Sequence, residues 1–206
     1  DGIEYLCGVS SKLHKNLKNP KANTGSRKNK TQRVKKIDKT SAAVVGDRVS
    51  IEPGDEQSMI MVVHPRKAVL SRESPGRRNL EQIIAANVDQ VLAVMSIQRP
   101  SFNSDLLNRL LVGAEFQGLD VVICATKTDL GIPDDVQKTL DGYRDMYQVI
   151  TSSVVTEDGL ETVRDALSGK TSVAIGLSGV GKTSLLNALE PELDLRVQTV
   201  NDKTGQ

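Results

Sequence analysis

Eight consecutive residues restrict what this chain can fold into more than any other part of it. Gly176-Leu177-Ser178-Gly179-Val180-Gly181-Lys182-Thr183 matches the phosphate-binding pattern G-x-x-x-x-G-K-[ST] at every fixed position. The pattern needs a strand before it and a helix after it, and both are there. Ser172-Val173-Ala174-Ile175 is an apolar β-type run, and Ser184-Leu185-Leu186-Asn187-Ala188-Leu189 has apolar residues at helical spacing. Glycines let backbone N–H groups close around phosphate oxygens with no Cβ in the way, while the new helix points the positive end of its dipole at the same anion. Lys182 is placed to reach the outer phosphates and the Thr183 hydroxyl to take a position on Mg²⁺, with Ser184 completing the candidate phosphate set.

A loop of this kind sits on a buried parallel sheet, and the second half of the chain supplies one. Residues 88–95, 121–125 and 148–151 read as buried strands, alternating with helices over 104–116, 134–146 and 157–167. In the first helix Leu106, Leu107, Leu110, Leu111 and Ala114 share a face, with Ser104 as the expected N-cap. Alternation at these lengths predicts a parallel, doubly wound α/β sheet. Aromatic residues are 2% of the 206 and Trp is absent, so the core must be built from Val, Ile, Leu and Ala.

One strand of this sheet runs directly into Thr126-Lys127-Thr128-Asp129. This sits at the carboxyl end, where α/β sheets place ligands. It resembles the guanine-specificity motif of GTPases, N-K-x-D, with Thr126 in place of Asn. A carboxylate at Asp129 can accept hydrogen bonds from guanine N1–H and the exocyclic amine, a pattern adenine does not present. The Lys127 stem would cover one face of the base, and the Thr126 hydroxyl would tie this loop to the phosphate loop. Four residues alone also suit a solvated helix N-terminus. The next strand, however, ends in Thr151-Ser152-Ser153, which looks like the short backbone-donor loop that meets the guanine carbonyl oxygen. Asp129 precedes Gly176 by 47 residues, whereas an ordinary GTPase has its phosphate loop first. The domain, taken as residues 81–206, is therefore expected to be circularly permuted.

The first half follows another pattern. Short β-type runs at 3–9, 42–45, 48–52, 58–64 and 68–70, broken at Gly46-Asp47 and Pro53-Gly54-Asp55, predict a small β-barrel over residues 1–71, followed by a linker at 72–80. Between Lys12 and Lys39 lie eleven Lys or Arg against the single acid Asp38, a local charge of +10. Since the whole chain carries +1, the remainder carries −9. A barrel with a long basic loop has the outline of an OB-fold, and the charge asymmetry points to a polyanionic partner for one segment. No aromatic interrupts the tract, so phosphate or shape recognition through Lys28, Lys30, Arg33, Lys35 and Lys36 is expected rather than base stacking. A solvated loop is the plain alternative. No apolar run approaches the ~20 residues that cross a bilayer, and the start has no signal-peptide pattern. It also lacks Met, so the numbered chain is expected to begin inside a longer one. Cys7 and Cys124 read as small buried side chains in a reducing cytoplasm, and His14 and His64 carry no assigned chemistry.

Together, Ile84-Ala85-Ala86-Asn87-Val88-Asp89-Gln90-Val91, the permuted motif order and Gly179-Val180-Gly181-Lys182-Thr183-Ser184-Leu185-Leu186-Asn187-Ala188-Leu189 resemble the ribosome small-subunit-dependent GTPase A family, RsgA, also called YjeQ. The resemblance runs from about Tyr5 to Gln206. It implies a monomeric GTPase that binds GTP or GDP with Mg²⁺, contacts the small ribosomal subunit and its rRNA during late maturation, and hydrolyses GTP when that subunit stimulates it. Membrane association is not implied. The family's zinc-binding C-terminal domain does not fall within these residues. Asp202-Lys203-Thr204-Gly205 fits the switch pattern D-x-x-G but starts only 20 residues after Lys182, with no buried strand leading into it. Thr204-Gly205-Gln206 instead resembles the run-up to the first switch, so residues that position the attacking water are expected beyond Gln206. Two other readings use the same residues: an RNA-binding module with a regulatory or inactive guanine-nucleotide site, and a P-loop ATPase or kinase, which Lys127 and Asp129 argue against.

Overall fold

In the computed structural model, residues 4–10, 13, 36–37, 42–55, 57–73, 80–193 and 195 are described. The basic tract lies outside them, apart from Leu13 and the backbone of Lys36–Ile37, as do Asp202-Lys203-Thr204-Gly205 and Gln206. The chain divides into two compact units, Asp1–Asn87 and Val88–Gln206.

The first unit holds β1 (Cys7–Val9), β2 (Lys36–Ile37), β3 (Val49–Glu52), β4 (Ser58–Val63), β5 (Val69–Glu73) and β6 (Leu80–Ala86). They form two three-stranded sheets, ordered β1-β4-β3 and β2-β6-β5. β3 pairs antiparallel with β4 and β5 with β6, while β1 and β2 join in parallel. The expected strand at 42–45 is reduced to a single bridge from Val45 to Ala85. Asp47 accounts for this, because its carboxylate accepts from Val44 N at 2.8 Å and folds the segment into a turn instead of extending it. The same carboxylate takes Arg66 Nε at 2.6 Å and Nη2 at 2.8 Å. Gly46 beside it has φ +86°, and a Cβ there would run into the Ala86 carbonyl. Asn87 fastens the end of the unit, accepting from Lys67 N and donating from Nδ2 to Gly46 O, each at 2.9 Å. The segment expected as a linker, 72–80, thus begins inside β5 and ends at the first residue of β6. Glu81–Ala86, expected to open the second domain, pairs with β5 in the first unit.

The second unit is the expected parallel sheet. Strands β7 (Gln90–Ser96), β8 (Asp120–Thr126), β9 (Gln148–Ser152) and β10 (Ser172–Ile175) are ordered β10-β7-β8-β9, every pair parallel. All seven residues of β7 are buried, as a central strand covered on both faces requires. Helices α1 (Ser104–Phe116), α2 (Asp134–Arg144), α3 (Leu160–Leu167) and α4 (Lys182–Leu189) do the covering. Leu92, Val94, Val122, Cys124 and Ile150 pack with Leu160, Val163 and Leu185 of α3 and α4. Alternate residues point the other way, and α1 touches β7 and β8 on that side. Fully burying a Leu such as Leu185 contributes roughly 1.5–3 kcal/mol, and Leu185 is completely covered.

Two helix starts differ from expectation for local reasons. Asn103, one residue ahead of Ser104, caps α1 by accepting from Leu106 N at 2.8 Å. α3 starts at Leu160 and not at 157, because Glu157 and Gly159 both have left-handed backbone.

Candidate functional site

Since β7 to β10 are parallel, their carboxyl ends share one edge of the sheet, and the loops leaving them meet there. The loop from β10 spans Gly176 to Gly181, and α4 begins at Lys182. It is drawn close to the sheet at its first residue, where a Cβ on Gly176 would run into the Val94 carbonyl. Val180 is 1% exposed and joins the core. Gly179 and Gly181 have φ of 80° and 94°. No side chain caps α4, so its first-turn amides retain their capacity for an anion. Lys182 Nζ donates to Gly176 O at 3.0 Å and Leu177 O at 2.6 Å, holding a cation over the loop. Burial keeps this ammonium below the usual lysine range. Ser178, Thr183 and Ser184 lie in the same loop and helical turn. An uncapped helix end, a glycine that must remain bare and a cation over the loop suit a polyphosphate, and Thr183 is the residue of this set that would hold its metal.

The loop from β8 is bound to this one. Thr126, only 2% exposed, donates its hydroxyl to Val180 O at 2.6 Å, with Met95 O a more distant 3.2 Å. A hydroxyl has one proton, so the Val180 contact is the working bond. Threonine therefore makes the cross-loop tie that the sequence pattern assigns to Asn. Lys127 takes a left-handed backbone, φ 63°, and its Nζ donates to Gly179 O at 2.7 Å and to Arg99 O. Burial, aided by the positive charge of Arg99 and opposed by Asp129, holds this ammonium below its ordinary value. Thr128–Leu130 forms one 3-10 turn containing Asp129.

The loop from β9 completes the group. Ser153, fully buried, donates to Asp129 Oδ1 at 2.6 Å and accepts from Val155 N at 3.1 Å and Thr156 N at 3.3 Å. Its own N–H goes to Asp158 O. Val154 N–H, the amide directly after Ser153, has no acceptor among the described residues, and the pattern Thr151-Ser152-Ser153 stops one residue short of it. Ser152 is buried too, and its Oγ has no partner among the described residues. Sequence reasoning also passed over Gln98, whose Nε2 donates to Leu130 O at 3.0 Å and Gly131 O at 2.9 Å. A lone Gln after a strand carries no motif, so no sequence signal marks it. Among the described residues no three His, Cys, Asp or Glu cluster to hold a metal, and no helix is long and apolar enough to cross a membrane.

The chain is similar in sequence and fold to known proteins. A relative from Gemmatimonas aurantiaca named small ribosomal subunit biogenesis GTPase RsgA is 43% identical over 167 residues, covering 79% of this chain and 54% of the relative. One of the same name from Thermotoga maritima is 37% identical over 164 residues, covering 77% and 52%. The chain thus spans about half the length of the curated relatives it matches. The crystal structure of YjeQ from Thermotoga maritima superposes with TM-score 0.66 at 32% identity, over 95% of this chain and 60% of that one. The crystal structure of YloQ, described as a circularly permuted GTPase, gives 0.52 at 34% identity, over 81% and 53%. The profile of the RsgA GTPase family matches residues 63–206, from the last residue of β4 through the turn that carries Asp129 to the glycine loop and beyond, and with that span this chain belongs to the RsgA GTPase family.

Proposed function

We propose that this chain is the nucleotide-binding part of a GTPase that acts in maturation of the small ribosomal subunit, in the cytoplasm. The observation that carries the guanine reading is the pinned carboxylate of Asp129, which Ser153 fixes at 2.6 Å beside a phosphate loop tied on by Thr126. In this reading Asp129 accepts from guanine N1–H and the 2-amine, and the free Val154 N–H donates to the guanine carbonyl oxygen. The Lys127 stem lies against the base, and residues 176–184 hold the phosphates. Thr183 is the residue of this chain that would hold magnesium, which would supply charge neutralisation at the phosphates. Lys182 exchanges its two loop carbonyls for phosphate oxygens, a stronger partner because both members of the pair are charged.

The partner comes from the relatives, whose names place them in biogenesis of the small ribosomal subunit. The first unit is read as an OB-fold-like RNA-binding domain that presents the basic loop 12–39 to rRNA, with the protein acting as a monomer. Calorimetric titration with GDP, GTP, ADP and ATP tests the nucleotide reading. Preference for guanine nucleotides by at least about tenfold is expected from the two bonds that adenine cannot make, and equal affinity for ATP and GTP overturns it. Lys182→Ala is expected to abolish triphosphate binding while leaving the thermal midpoint within a few degrees, since the side chain supports no core.

A further inference from the structure

We propose that Gln98 is a positioning residue for guanine recognition, holding the Asp129 turn at the end opposite the phosphate loop. The inference rests on the guanine reading above and adds a residue to it. The turn that carries Asp129 is anchored at three places. Its start is fixed by Thr126 to Val180 O and by Lys127 to Gly179 O and Arg99 O. Its middle is fixed by Ser153 on Asp129 Oδ1. Its end, where the carbonyls of Leu130 and Gly131 have run out of helical partners, is fixed by the Gln98 amide at 3.0 and 2.9 Å. Gln98 and Arg99 are neighbours in the loop leaving β7, so this one loop grips both ends of the turn. Asp129 itself is one residue from the first carbonyl that Gln98 holds.

The geometry predicts a particular kind of error when Gln98 is lost. With its end released, the turn can tilt, and the carboxylate pivots about the oxygen that Ser153 keeps in place. A bidentate acceptor needs both oxygens in the plane of the base, so pivoting costs one of the two bonds and spares the other. The 2-amine of guanine then becomes worth less to the protein. Hypoxanthine, which keeps N1–H and the carbonyl but lacks the 2-amine, needs only one bond and tolerates the tilt.

The test measures Kd for GDP, IDP and ADP on the 206-residue chain and on Gln98→Ala, Gln98→Glu and Gln98→Lys. Glu keeps the shape and removes the donors, whereas Lys keeps donors on a long stem. The wild type is expected to bind GDP about tenfold or more tightly than IDP, as one bond to a charged acceptor implies. In Gln98→Ala and Gln98→Glu, GDP affinity is expected to fall about tenfold and IDP affinity by less than about threefold, collapsing the ratio, with Gln98→Lys restoring much of it. A side chain that merely supports the fold would weaken both nucleotides by the same factor, and that result, or an unchanged ratio, overturns the role of Gln98. If the wild type itself fails to prefer GDP to ADP, the guanine reading has failed instead.

Discussion

At the scale of single residues, Asp129, Ser152 and Ser153 separate what a motif reveals from what only a folded loop reveals. Asp129 stands out in the sequence because a carboxylate directly after a strand end is visible there without the fold. Replacing it with Asn removes one acceptor and offers a donor, which suits the second carbonyl of xanthine. Asp129→Asn is expected to lose on the order of 2–3 kcal/mol of GDP affinity and to gain for XDP, checked by parallel titrations; unchanged selectivity would show that another group reads the base. Ser152 and Ser153 look interchangeable in sequence, yet one hydroxyl has no partner and the other has three. Ser153→Ala should therefore weaken GDP binding and loosen the loop, while Ser152→Ala removes an orphaned buried group and is expected to leave stability unchanged or raise it by up to about 1 kcal/mol. Thermal midpoints and GDP titrations of the two variants side by side decide this. Val154 and Gln98 were not legible, because the roles proposed for them depend on which backbone groups the fold leaves unsatisfied and no side-chain pattern records that.

Among the elements, the parallel sheet of the second unit could be read almost strand by strand, since continuous apolar runs between amphipathic helices have few alternatives. In the first unit, strand ends and pairings were less legible, and Asp47 shows why. A turn carboxylate holding both Val44 N–H and Arg66 replaces an expected strand with a bend, and it does so through a partner 19 residues away. Burial raises the pKa of Asp47, but the Arg66 hydrogen bonds and charge and the Val44 N–H outweigh it, and the carboxyl titrates below its ordinary value of 3.8. A depressed carboxyl contributes stability that is present above the unfolded pKa and lost as pH falls through the folded one. Asp47→Asn is expected to destabilise the first unit by on the order of 1–3 kcal/mol at neutral pH, with the gap from wild type closing as pH falls below 3.8. Denaturant titrations of both proteins at pH 7 and in acid check the sign, and a gap that persists in acid would mean the pair is not what holds the turn.

On the scale of the whole molecule, the charge is divided as sharply as the fold. The +10 between Lys12 and Lys39 belongs to the first unit, and the nucleotide loops belong to the second, so binding of a polyanion and binding of GDP should be separable by mutation. If the tract meets rRNA phosphates, each contact releases condensed counterions, and log affinity falls against log salt by about 0.7 to 0.9 per phosphate neutralised. Replacing Lys28, Lys30, Arg33, Lys35 and Lys36 together with Ser is expected to flatten that slope by about three to five units while GDP affinity stays nearly constant. The measurement is binding to purified small ribosomal subunits at several salt concentrations for the two proteins, with GDP titrations alongside. A flattened slope with intact GDP binding identifies the tract as the electrostatic part of the subunit contact. Superimposable slopes would make it a solvated loop and move the RNA-binding surface elsewhere on the molecule. A joint loss of subunit and GDP binding would mean that the two units do not act independently, against the division of charge and of core that the fold displays.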